Sequence, residues 1–300
     1  MTPVAGVLVA LLAVQTEGSI VGVLPGSTRS AGLGGAGAAL VGEAGAVFAN
    51  PAGIATIHHL SLEGSYEPYL AGTAVSAAAI AVRVGRVTWG FGAQTLDYGS
   101  EPEIVPDPAT SGRRGMPTGA SFHPYEALAV SSLVLRRGLL AFGVSAKYNR
   151  QQIGSMVSDA WAGDVGMAIA IFDIAAFGVS VQNLGGDLGG GARMPRRTRA
   201  GFTFNYTDPQ GAFRLLTTLE AQWTTDRAAV LVQGIEGGIV TGGVGLVGRL
   251  GYATRPAVTD ASRFTFGGGV VLGHLQMDYA FQGYDVLGGG THRVGVRWTP

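Results

Sequence analysis

The chain has 300 residues, no cysteine, and 20 Lys+Arg balanced by 20 Asp+Glu, so it has no thiol chemistry and no basic excess. This excludes disulfide frameworks, zinc-thiolate sites and cysteine nucleophiles, and it argues against nucleic acid as a partner. Charged residues make up 13 %, glycine fills 50 positions and mean hydropathy is +0.30, yet the body lacks the ~20-residue apolar run of a membrane helix, which leaves a closed barrel as the way to sit in lipid.

Taken in chain order, Val4 to Val14 is an apolar run of signal-peptide length, too short to span. Residues 1–18 are therefore expected to be a signal peptide, although Met1-Thr2-Pro3 carries no basic residue. Residues 19–56 are expected to be an N-terminal periplasmic or plug segment, rich in Ala and Gly. Small residues suit close packing in the barrel mouth, and the segment ends on Asn50-Pro51-Ala52-Gly53, a turn signal.

From residue 57 to 300 polar and apolar residues alternate, which places them on opposite faces of a sheet. Thr198, Ala200, Phe202, Phe204 and Tyr206 oppose Arg197, Arg199, Gly201, Thr203 and Asn205. Fourteen strands are predicted, near 57–66, 73–84, 87–98, 124–136, 139–152, 158–171, 175–183, 195–206, 213–224, 228–240, 244–254, 263–272, 275–283 and 291–299. Their connections alternate short and long, as the periplasmic turns and outer loops of such barrels do, with 225–227 the main exception. The fold class is thus all-β, a transmembrane antiparallel up-and-down barrel of the bacterial outer membrane. Tyr148, Trp161, Tyr206, Trp223, Tyr279 and Trp298 are expected in its interfacial girdles. Gly90, Gly92, Gly143, Gly201 and Gly295 fall on the polar rows, where small residues leave room inside or permit curvature.

Few residues suggest chemistry. Gly32 to Gly37 matches GxGxxG, but no βαβ unit surrounds it. His58, His59, His123, His274 and His292 have no metal-ligand spacing, so neither metal nor cofactor is expected. No GxSxG elbow is present. Nothing selects Ser180 and His274 as a rim esterase pair, and no catalytic residue is expected. Lys147, Arg197, Arg199, Arg293 and Arg297 lie on polar rows and should point into the lumen, because a charge facing hydrocarbon costs ~2–4 kcal/mol. Their expected partners are Asp164, Glu220, Asp278 or Glu43. Structural ion pairing is the first reading and binding of an anionic head group the second.

The run Phe48-Ala49-Asn50-Pro51-Ala52-Gly53-Ile54, after a small-residue stretch and Glu43, resembles the start of FadL-like barrels and of the PorV/PorQ family. Asn183-Leu184-Gly185-Gly186, Met194-Pro195-Arg196 and the ending from Asp278 to Val294 resemble PorV/PorQ more. The resemblance implies a fourteen-stranded barrel with an N-terminal plug. Its first implied role is a component or accessory of type IX protein secretion. The alternative is a FadL-like passive transporter of hydrophobic compounds. Outer-membrane lipid, with secretion proteins or hydrophobic small molecules, would be the partners. The ending Trp298-Thr299-Pro300 departs from the terminal aromatic usual in such barrels.

Overall fold

The computed structural model describes residues 16–172, 174–189, 191–208, 211–225, 227–254, 261–284 and 289–300. The expected signal peptide lies almost entirely outside them. Fourteen antiparallel strands close into a barrel in simple up-and-down order. They are β1 (Leu60–Pro68), β2 (Ala74–Val84), β3 (Val87–Asp97), β4 (Tyr125–Arg137), β5 (Leu140–Ile153), β6 (Met156–Ile171) and β7 (Ala175–Gly185). Then follow β8 (Arg197–Thr207), β9 (Phe213–Thr224), β10 (Val230–Thr241), β11 (Val244–Ala253), β12 (Ala261–Leu272), β13 (Leu275–Tyr284) and β14 (Gly289–Trp298). β14 pairs with β1, Val294 opposite Tyr66 and Trp298 opposite Leu62, which leaves no free edge.

Alternation along each strand sets what faces lipid. On β8, Arg199 and Thr203 are buried while Phe204 is 41 % exposed. Phe142, Trp161, Leu219, Phe266 and Val294 are exposed in the same way on other strands. An exterior of large apolar side chains has no stable place in water and matches a bilayer's hydrocarbon. The aromatic residues expected in girdles all face outward: Tyr206, Trp223 and Trp298 at strand ends, Tyr148, Trp161 and Tyr279 farther in.

Two expectations need correction. The first strand begins at Leu60 and not at 57, because Pro51–Thr56 winds as a 3-10 turn that ends the N-terminal segment. Connections at the long-loop end are not uniformly long: β1–β2 and β5–β6 join through 69–73 and 154–155. The longest, 98–124, is itself folded into a hairpin, Glu101–Pro106 with Gly115–Phe122.

Inside, residues 18–57 fill the lumen. They contain one short helix, Thr28–Gly32, and two 3-10 turns, Ala44–Phe48 and Pro51–Thr56. The inward glycines make the space for them. A Cβ on Gly143 would lie 2.7 Å from the Ala52 nitrogen, and one on Gly90 would lie 2.6 Å from Val47 Cγ1. At Gly143 glycine lets two backbones approach, and at Gly90 it admits the Val47 side chain.

Candidate functional site

A chain of small residues with little regular structure has many backbone groups to satisfy, and a buried unsatisfied one costs ~1–3 kcal/mol. The inward polar row of the barrel answers this need. Glu220 on β9 accepts from the Gly37 and Ala38 N–H groups, both at 2.7 Å. Ser180 and Gln182 on β7 donate to the Ala49 and Phe48 carbonyls at 2.8 and 2.7 Å. Thr265 on β12 accepts from the Gly34 N–H at 2.9 Å and donates to the Gly32 carbonyl at 3.2 Å.

The segment runs through the whole lumen and does not stop at the short-turn mouth, as composition suggested. Its first described residues lie at the long-loop end. There Thr16 and Glu17 pair in parallel with Ala192 and Arg193. Ser19 donates to Glu126 at the start of β4, and Gln151 near the end of β5 donates to the Gly18 carbonyl. Its last turn lies near the opposite end. Asn50 accepts from Ala52 N–H at 3.1 Å, as its turn chemistry anticipates, and its amide donates to the carbonyls of Ala38 and Met167 at 2.7 and 3.2 Å. Pro51, Ala52 and Gly53 are buried beside it.

All five sequence-selected basic residues face inward, but they are not brought into one cluster. Lys147 pairs with Asp164 at 2.8 Å and donates to Asn183 Oδ1 at 3.0 Å. Asn183 sits at φ 59°, in the left-handed region that asparagine tolerates, at a bulge between Val181 and Leu184. Arg199 pairs with Glu220 at 2.6 Å. Arg293 donates to Glu67 at 2.7 Å and also reaches the Pro25 carbonyl. Arg197 donates to the Val23 carbonyl at 3.2 Å. Arg297 pairs with Glu43 of the segment at 2.6 Å.

Asp278 is not a partner of these five. It is held by Arg249 at 2.6 Å, and Arg249 also reaches Glu236 at 2.7 Å. Glu236 in turn takes two hydrogen bonds from Arg29 of the segment, both at 2.8 Å. Arg29 contacts Glu43 at 3.3 Å, Arg297 donates to Gln276 at 2.6 Å, and Gln276 donates to Asp278 at 2.8 Å. The circuit Arg29–Glu43–Arg297–Gln276–Asp278–Arg249–Glu236 is thus closed, with Arg29 and Glu43 riveting the segment to four strands. Sequence reasoning missed Arg29, Arg249 and Glu236. Glu236 and Arg249 stand on inward rows by parity, and that was the available signal.

Two chambers flank the segment. The one at the long-loop end holds about 340 Å³ between Leu24, Pro25, Tyr69, Leu70 and Tyr284, with the Arg293–Glu67 pair in its wall. Tyr69 and Tyr284 meet edge to face at 6.2 Å, their hydroxyls 3.3 Å apart. The other chamber, about 240 Å³, opens at the short-turn end beside Ala39 to Gly42, Phe172 and Arg214. The space between the segment's turns and the β8–β9 wall is about 60 Å³, smaller than either chamber. Ser180 and His274 are not neighbours. Ser180 is committed to the Ala49 carbonyl, and His274, on the β12–β13 turn, contacts the Thr299 carbonyl at 2.8 Å.

No family model and no curated protein sequence matches the chain. Solved structures do resemble it. The CymD monoaromatic hydrocarbon channel aligns with a TM-score of 0.59 at 13 % identity, over 91 % of this chain and 97 % of its own. The Ralstonia pickettii toluene transporter TbuX aligns at 0.54 and 15 % identity, over 90 % and 96 %. A Pseudomonas aeruginosa FadL homologue aligns at 0.54 and 12 % identity, over 91 % and 98 %. The likeness is one of fold, and with the apolar exterior it makes this chain an outer-membrane β-barrel of FadL-like architecture.

Proposed function

We propose that the chain is a passive conduit for hydrophobic small molecules across the outer membrane, with residues 19–56 as its plug after a signal peptide at 1–18. The observation that carries this reading is the chamber at the long-loop end. It is a pocket of about 340 Å³ at that end of the lumen, with apolar and aromatic side chains beside its polar wall and the N-terminal segment as its floor. Its Leu24, Leu70, Tyr69 and Tyr284 offer the burial that drives an apolar molecule out of water. The likeness to a monoaromatic hydrocarbon channel and a toluene transporter supports this substrate class. It lends nothing to the PorV/PorQ expectation of a role in type IX secretion. Each of the five lumen cations bonds a carboxylate or a carbonyl, and together they fix wall and plug.

Passage requires the plug to rearrange. Cells expressing the barrel should take up radiolabelled toluene faster than vector controls, and Leu24→Arg should bring the rate down to the control. Deleting residues 30–50 should raise single-channel conductance in planar bilayers. Uptake equal to the control would overturn the transport reading. Unchanged conductance after the deletion would remove the gate.

A further inference from the structure

The outer wall over β1 to β5 differs from the rest of the barrel at two levels. At the short-turn rim, Arg86 and Arg137 are exposed and Arg83 and Arg136 half-buried. The β3–β4 pairing sets Arg86 beside Arg136, whose N–H donates to the Arg86 carbonyl at 3.0 Å. Nε of Arg83 and of Arg136 cap the Gly85 and Gly138 carbonyls of the two turns, each at 3.0 Å. Among the described residues none of the four forms an ion pair with a carboxylate. Four like charges held on two adjacent turns raise the local potential and favour an anion. Val84, Leu135 and Leu139 beside them are 68, 55 and 44 % exposed. These side chains belong in hydrocarbon, so the arginines stand where acyl chains give way to head groups.

Above the rim the same sector is hollowed. Gly64, Ala78, Ala93 and Ala129 lie side by side across four strands on the outward face. With Trp161 and Trp298 standing at its margins, they leave an apolar groove of about 890 Å³. From Phe91 in this groove to the Arg86 turn, the strand covers roughly 16 Å at ~3.3 Å per residue, or about 12 Å of depth at a tilt of ~40°. One leaflet of hydrocarbon is about 15 Å deep.

We propose that this sector is a binding site for an anionic phospholipid of the periplasmic leaflet. Arg86 and Arg137 take the phosphate, and an acyl chain lies in the groove. The exposed Val84, Leu135 and Leu139 place the arginines in the bilayer interface, at the depth of a lipid phosphate. A second copy docked on this face about a twofold axis would set arginine against arginine. The site does not depend on what the lumen passes.

Native mass spectrometry of the barrel in non-ionic detergent, with equimolar phosphatidylglycerol and phosphatidylcholine of matched chains, tests this. Phosphatidylglycerol adducts should exceed phosphatidylcholine adducts several-fold. Arg86→Gln with Arg137→Gln should bring the ratio to parity, and Arg86→Lys with Arg137→Lys should preserve it. Ala93→Leu with Ala129→Leu should reduce retention of both lipids. Equal adducts on the native protein would overturn the proposal. So would a preference that survives the glutamine pair, displacement of the lipid by inorganic phosphate, or a lipid-free dimer in the same spectra.

Discussion

Replacing Glu236 by leucine tests whether the charge circuit holds the plug or merely decorates the lumen. In the native barrel Glu236 takes both Arg29 bonds at 2.8 Å and the Arg249 bond at 2.7 Å, with its side chain 7 % exposed. Removing one partner of a buried pair costs ~3–5 kcal/mol, because the other charge is left unpaired. Here Arg29 keeps Glu43 and Arg249 keeps Asp278, so the low end, about 3 kcal/mol, is expected. Arg29→Leu is milder, about 2 kcal/mol, since Glu236 keeps Arg249 and Glu43 keeps Arg297. In the double variant every remaining charge has a partner. Its cost should be about 3 kcal/mol, below the sum of about 5, a coupling of roughly 2 kcal/mol. Urea titration of the barrel in lipid vesicles, followed by tryptophan fluorescence, gives all three values from linear extrapolation. Additive losses would show that plug and wall do not communicate through this circuit.

Two further outcomes follow from facing and packing. Phe204→Arg should lose ~2–4 kcal/mol if it lies near the bilayer midplane. A lipid-soluble thiol probe should label cysteine at 202 and spare it at 203; the reverse would shift the register by one residue. Gly143→Val forces a side chain against the backbone of Pro51 and Ala52, where a Cβ already falls 2.7 Å from the Ala52 nitrogen. The cost should be ~1–3 kcal/mol of stability together with a conductance raised by a displaced plug. Unaltered conductance and stability would mean the segment does not pack there.

The sequence by itself determined the barrel. Side chains repeat every second residue along a strand, so the alternation from Thr198 to Tyr206 fixed which residues meet lipid without any knowledge of neighbours. The absence of an apolar run long enough for a helix left closure as the way to satisfy backbone groups in hydrocarbon. Parity also turned Lys147, Arg199, Arg293 and Arg297 inward. Pairing is another matter, because Arg29 and Glu236 are 207 positions apart and meet only once the barrel has closed around the segment. The same holds for the course of residues 18–57. Small residues signal close packing but not against what, and only the matching of Glu126, Glu220 and Gln182 to particular backbone groups stretches the segment from one end of the lumen to the other. The arginines on the β2–β3 and β4–β5 turns read as ordinary turn residues in one dimension. They become a patch because antiparallel pairing of β3 with β4 sets the two turns side by side, a proximity that hydrogen-bond register creates and sequence separation conceals.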